Sequence, residues 1–73
     1  MSDMEKIRAE IGARIKARRL ELYMTQEELA AKVGFKGKTS IAKIESGAHG
    51  VPISKVKAIA DALDTTPDYI MGW

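Results

Sequence analysis

The chain has 73 residues, no cysteine and a formal net charge of +2. That length is one domain or part of one, and a domain this small buries only about 60% of the surface its unfolded chain exposes. Without cysteine there is no disulfide framework, thiolate metal site or cysteine nucleophile. No stretch approaches the about 18 apolar residues of a membrane span, and the opening "MSDMEKIRAE" lacks the apolar core of a signal peptide. A soluble cytoplasmic protein is expected.

From the N-terminus, Met4, Ile7, Ile11, Ile15 and Leu22 recur at spacings of three, four, four and seven. This is one stripe of a helix, with Asp3 as its expected N-cap. In "TQEELAAKVG", Thr25 and Glu28 form a capping box that starts a second helix at Gln26. Leu29, Ala30 and Val33 are its inner side, and Gly34 ends it in a left-handed conformation. A third helix spans residues 38 to 46, with Ile41 and Ile44 inward and Gly47 as its stop. After the loop "AHGV" and Pro52, the run "ISKVKAIADAL" repeats apolar residues at Ile53, Val56, Ile59, Ala60 and Leu63, with Ser54 as candidate cap. Thr66 followed by Pro67 opens a fifth, short helix in "PDYIMGW". Five helices and no sheet are expected in a single domain over residues 1–73, with a linker beginning at about residues 72–73.

Charge is unevenly distributed. Residues 14 to 43 hold eight basic residues against three acids, and the remainder holds four against seven. Either a solvated surface or a face that attracts polyanions gives this pattern.

The stretch "GFKGKTSIAKIESG" (residues 34 to 47) carries two rival phosphate readings. A nucleotide-binding P-loop needs G-x-x-x-x-G-K-[ST] after a buried strand. Counting back from Gly37-Lys38-Thr39, the first glycine position is Lys32, and a capped helix precedes it; the nucleotide reading fails. As a helix with Ile41 and Ile44 inward, at about 100° per residue, the stretch turns Thr39, Lys43 and Ser46 outward, with Ala42 and Lys38 on the flanks. That face is small, polar and basic, without an acid, and such a helix fits the major groove of B-DNA. Lys38, Thr39 and Lys43 are the candidate base contacts: lysine donates to guanine, and threonine hydrogen-bonds or meets a thymine methyl group. Lys36 and Ser46 flank them as candidate phosphate contacts, and Gln26 sits at a helix N-terminus, where anions are favoured.

The blocks "TQEELAAKVG…SIAKIESG" and "IADALDTTPDYIMGW" resemble the phage-repressor and Cro-like helix-turn-helix family, from about Ile11 to Trp73. The resemblance implies a lambda-repressor-like all-α bundle with the helix-turn-helix over about residues 25–46. It implies sequence-specific binding to a double-stranded DNA operator, as in the N-terminal domain of a phage CI-type repressor. A homodimer on DNA and a further C-terminal oligomerisation domain go with it. It also implies that Gln26 meets a phosphate, and that an arginine–glutamate pair, mapping to Arg19 and Glu45, links the first and third helices. Periodicity alone puts Glu45 near the core edge and does not choose Arg18 over Arg19. Arg14, Lys16, Arg18 and Arg19 cluster late in the first helix, and Arg18 is taken as a phosphate contact. Two features depart from the family: "FKGKTSI" is one residue longer than usual, and the loop "GAHGVP" lacks the usual basic residues, so the backbone grip must lie elsewhere. His49, the single histidine, has no companions for a metal site. No cofactor and no catalytic group are indicated. The rival readings are a restriction–modification controller-type regulator and an antitoxin-like protein-interaction module.

Overall fold

The computed structural model describes residues 2–73. Five helices follow one another: α1 Asp3–Glu21, α2 Gln26–Val33, α3 Lys38–Ser46, α4 Ile53–Ala62 and α5 Pro67–Met71. No strand occurs among the described residues.

The helix ends follow local chemistry, with two corrections. Ser2, not Asp3, caps α1: its side chain accepts from the Glu5 N–H at 3.2 Å. Asp3 is the first helical residue, where its charge still suits the positive end of the helix. At α4 the N-cap is Pro52, and Ser54 already lies inside the helix, whose first turn closes through Lys55 N–H to Pro52 C=O at 2.8 Å. The capping box of α2 is complete, Thr25 accepting from Glu28 N–H and Glu28 accepting from Thr25 N–H, each at 3.0 Å. Gly34 ends α2 at φ +83°, a conformation glycine adopts without a Cβ penalty. Thr66 caps α5 by accepting from Tyr69 N–H, with Pro67 in the first helical position.

Ile15, Leu29, Ile41, Ile59, Leu63 and Ile70 are fully buried, drawing on all five helices. Thus α5, although five residues long, supplies a central core residue, while Tyr69 and Trp73 beside it stay exposed. The stripe of α1 is only half used. Ile11 and Ile15 are buried, but Met4 and Ile7 are exposed. At 1.5 Å per residue α1 is about 28 Å long and α3 about 14 Å, so the first turns of α1 overhang the helix it packs against. Ile53 also leaves its expected place. It begins α4 at the surface, and burial in that helix starts at Val56.

Candidate nucleic-acid interface

The position of α3 is set by what touches its inner side. Against α2, the small buried Ala30 and the left-handed Gly34 allow a close, sharply turned crossing. Against α1, the approach is closer still. A Cβ on Gly12 would fall on the carbonyl oxygen of Ile44 and lie 2.6 Å from that of Glu45. The backbone of α3 therefore rests directly on α1 at this point.

Arg19 and Glu45 lock the same crossing. The guanidinium donates to the carboxylate through Nε at 2.6 Å and Nη2 at 3.0 Å, and through Nη1 to the Met24 carbonyl at 2.7 Å. Both side chains are buried. The hydrogen bond to Glu45 raises the Arg19 pKa above its ordinary value, against the opposing effect of burial. Gln26 joins the pair, its Nε2 donating to Glu45 Oε1 at 3.1 Å. Glu45 thus ties the first turn of α2 and the last turns of α1 to α3.

With Ile41, Ile44 and Glu45 buried, the opposite side of α3 faces solvent. Lys38, Thr39, Lys43 and Ser46 are all exposed there. Among the described residues Lys43 has no ion-pair or hydrogen-bond partner for its ammonium group, and exposed Lys36, in the turn before α3, has none either. Lys38 stands 3.9 Å from Glu27, a loose surface pair worth little in water. The Ser46 hydroxyl donates to the Lys43 carbonyl at 3.1 Å and accepts from Ala48 N–H, helping to close the end of α3.

Arg18 differs from the sequence expectation. Its Nε donates to the Leu63 carbonyl at 2.8 Å and its Nη2 to the Asp64 carbonyl at 3.2 Å, with Glu21 3.3 Å from Nη1. A cation is favoured at the carbonyl-rich end of a helix, and Arg18 serves the end of α4 in this way. Arg14 does the same for α5 through the Ile70 carbonyl at 2.9 Å. Lys55 serves α2 through the Val33 carbonyl at 2.8 Å, while lying over the Phe35 ring. These roles and that of Gly12 escape a reading by periodicity. A glycine inside a helical pattern is the one local signal for close backbone approach.

No three His, Asp or Glu side chains gather as a metal set among the described residues, and none of their helices is long and apolar enough to cross a membrane.

A short helix held by its neighbours at a tight turn, with its polar basic side left open, is the arrangement of a helix-turn-helix DNA-binding domain. The comparisons agree: the helix-turn-helix family model HTH_3 matches residues 15–70, and the chain belongs to that family of DNA-binding regulators. It is similar to the restriction-modification controller protein C.AhdI from Aeromonas hydrophila, with 25% identity and a TM-score of 0.86 over 94% of this chain and 99% of that one. A hypothetical transcription factor, NHTF, from Neisseria shares the fold at 22% identity, with a TM-score of 0.82 over 97% of this chain and 80% of that one. No curated protein matches the sequence.

Proposed function

We propose that this protein is a transcriptional repressor that seats α3 in the major groove of a specific operator, reading bases with Lys38, Thr39 and Lys43. The observation that carries this reading is the open side of α3, where the exposed side chains of Lys43 and Thr39 have no partner among the described residues and no acid stands among them. Lys36 and Gln26 hold phosphates on either side of the groove. Gln26 keeps one amide hydrogen on Glu45 and has the other for the DNA. Ser46 contributes when its hydroxyl turns from the Lys43 carbonyl. Arg18 is left out of this set because its guanidinium is occupied at the end of α4.

The protein works as a homodimer on two half-sites about one helical turn apart, in the cytoplasm on the nucleoid. Free protomers associate weakly. The exposed large apolar residues Met4, Ile7, Leu20, Tyr23, Ile53, Tyr69 and Trp73 are spread over the two ends of α1 and the turn after it, the start of α4, and α5 with the residues that follow it. Such scattered residues do not make the roughly 1,200 Å² of a stable specific interface. A controller-type regulator is the second reading, favoured by the shape match to C.AhdI; a phage or prophage repressor is the first.

Selection of binding sites from a random duplex pool by the purified protein tests the proposal. A two-fold symmetric sequence with half-sites about 10 base pairs apart is expected, bound with an affinity that falls steeply with salt. Enrichment of no sequence would remove the operator-binding reading.

A further inference from the structure

All four arginines of the protein lie on α1, and their fates differ. Arg14, Arg18 and Arg19 each donate to named acceptors. Among the described residues Arg8 donates to none: its Nε is buried without a hydrogen-bond partner, and no ion pair reaches its guanidinium. Buried polar groups are nearly always satisfied, so an orphan of this kind calls for an explanation.

Its surroundings supply one. Arg8 precedes Gly12, where α1 crosses α3, by one helical turn, while Arg19 lies beyond the crossing on the same side of the helix. Arg19 therefore meets α3 from within, and Arg8 passes its far end. There the chain leaves α3 through Gly47, whose added Cβ would lie 2.9 Å from Ala9 Cα. Three residues later a Cβ on Gly50 would lie 3.4 Å from Arg8 Cδ. The Arg8 stem thus lies beside Gly50 in the loop that follows α3, and it lines a small cavity together with His49 and Val51 of that loop. Arg8 also borders an open hollow with Ala9, Ser46, Gly47, Ala48 and Glu5, and Glu5 makes no ion pair with it. On the other side of the same loop, His49 and Gly50 share a hollow with Thr39 and Lys43.

We infer that Arg8 is a phosphate-binding residue, gripping the DNA backbone past the C-terminal end of α3. The inference rests on the DNA-binding reading above and extends it. At the start of α3 the backbone is met by Lys36 and Gln26. At its end the loop "GAHGVP" carries no lysine or arginine, and Arg8 brings a permanent positive charge to that loop from another helix. A guanidinium presents paired donors that match a phosphodiester. The two terminal nitrogens of Arg8, unlike its Nε, are not buried, and neither has a partner among the described residues. Lys6, the nearest other base on α1, points about 200° away around the helix and does not share this side.

The test compares wild type, Arg8→Gln and Arg8→Lys on the operator duplex recovered by selection, with affinity followed against salt concentration. Arg8→Gln should flatten the slope of log affinity against log salt by about 0.9, the value of one released phosphate counterion, equally on operator and on random duplex. Arg8→Lys, which keeps the charge, should retain the slope. Hydroxyl-radical footprints should lose protection at one backbone position in each half-site, at the edge facing the end of α3. A wild type with salt-dependent binding and an Arg8→Gln variant of unchanged slope and footprint would overturn the inference while leaving the DNA-binding reading intact, even if thermal stability fell. A wild type with no salt-dependent binding to any duplex would overturn both. If Arg8→Gln fails to fold, Arg8→Ala, judged by footprint after its fold is checked by circular dichroism, replaces it.

Discussion

The Arg19 guanidinium and the Glu45 carboxylate face each other with two hydrogen bonds, at 2.6 Å and 3.0 Å, in the space between α1 and α3. Both ions are out of water, so removing one leaves the other uncompensated. Glu45→Ala should destabilise the fold by about 3–5 kcal/mol, read as a lower urea midpoint. Replacing both residues with apolar ones of similar volume should cost far less, since the desolvation of the pair disappears with the pair. An unchanged midpoint for Glu45→Ala would mean that the pair does not hold the crossing.

Gly12→Ala should be more damaging than its size suggests. The added methyl group meets backbone carbonyls of α3, which cannot swing aside as a side chain would. The helices must separate, at a cost of about 1–3 kcal/mol or more from overpacking. Melting of Gly12→Ala, followed by circular dichroism, should show a lower midpoint, although alanine is the better helix former.

Arg18→Ala distinguishes a helix cap from a phosphate contact. The loss of charged hydrogen bonds to the end of α4 should reduce stability by about 1–2 kcal/mol. The salt slope of DNA binding should not change. A flatter slope with full stability would return Arg18 to the DNA.

Lys43→Ala should weaken operator binding by about 1–3 kcal/mol, with a smaller loss on random duplex. Lys43 lies mid-face on α3, where a base edge rather than a phosphate is the expected partner. Equal losses on both duplexes would make it a phosphate contact.

Acid should loosen the start of α2. The hydrogen bond from the Thr25 backbone N–H, followed by that with the Thr25 side chain, holds the Glu28 carboxyl below its ordinary range. A carboxylate depressed in the folded state stabilises above its unfolded pKa of about 4.3. That contribution is lost as pH falls through the lower folded value. Glu28→Gln, titrated by urea midpoint from pH 7 to pH 2, should therefore show a shallower acid decline than wild type. Parallel declines would assign the acid sensitivity to other carboxylates.

What the sequence determined by itself is local. Thr25 with Glu28, Gly34, Gly47, and Thr66 with Pro67 mark helix ends because each cap is closed by residues within a few positions of one another. The inward direction of Ile41 and Ile44 follows from helical spacing, and with it the open side bearing Thr39 and Lys43. The tertiary structure decided whatever depends on a partner distant in the chain. Periodicity placed Met4, Ile7 and Ile53 on apolar faces, but an apolar face is buried only where another element lies over it, and α1 overhangs α3. Four arginines on one helix look alike in the sequence. Only the meeting of α1 with the ends of α4 and α5 and with Glu45 assigned three of them to the fold, leaving Arg8 beside the loop after α3. Charge is a property of the residue, whereas its use depends on which carbonyl, carboxylate or open surface the packed helices bring within reach.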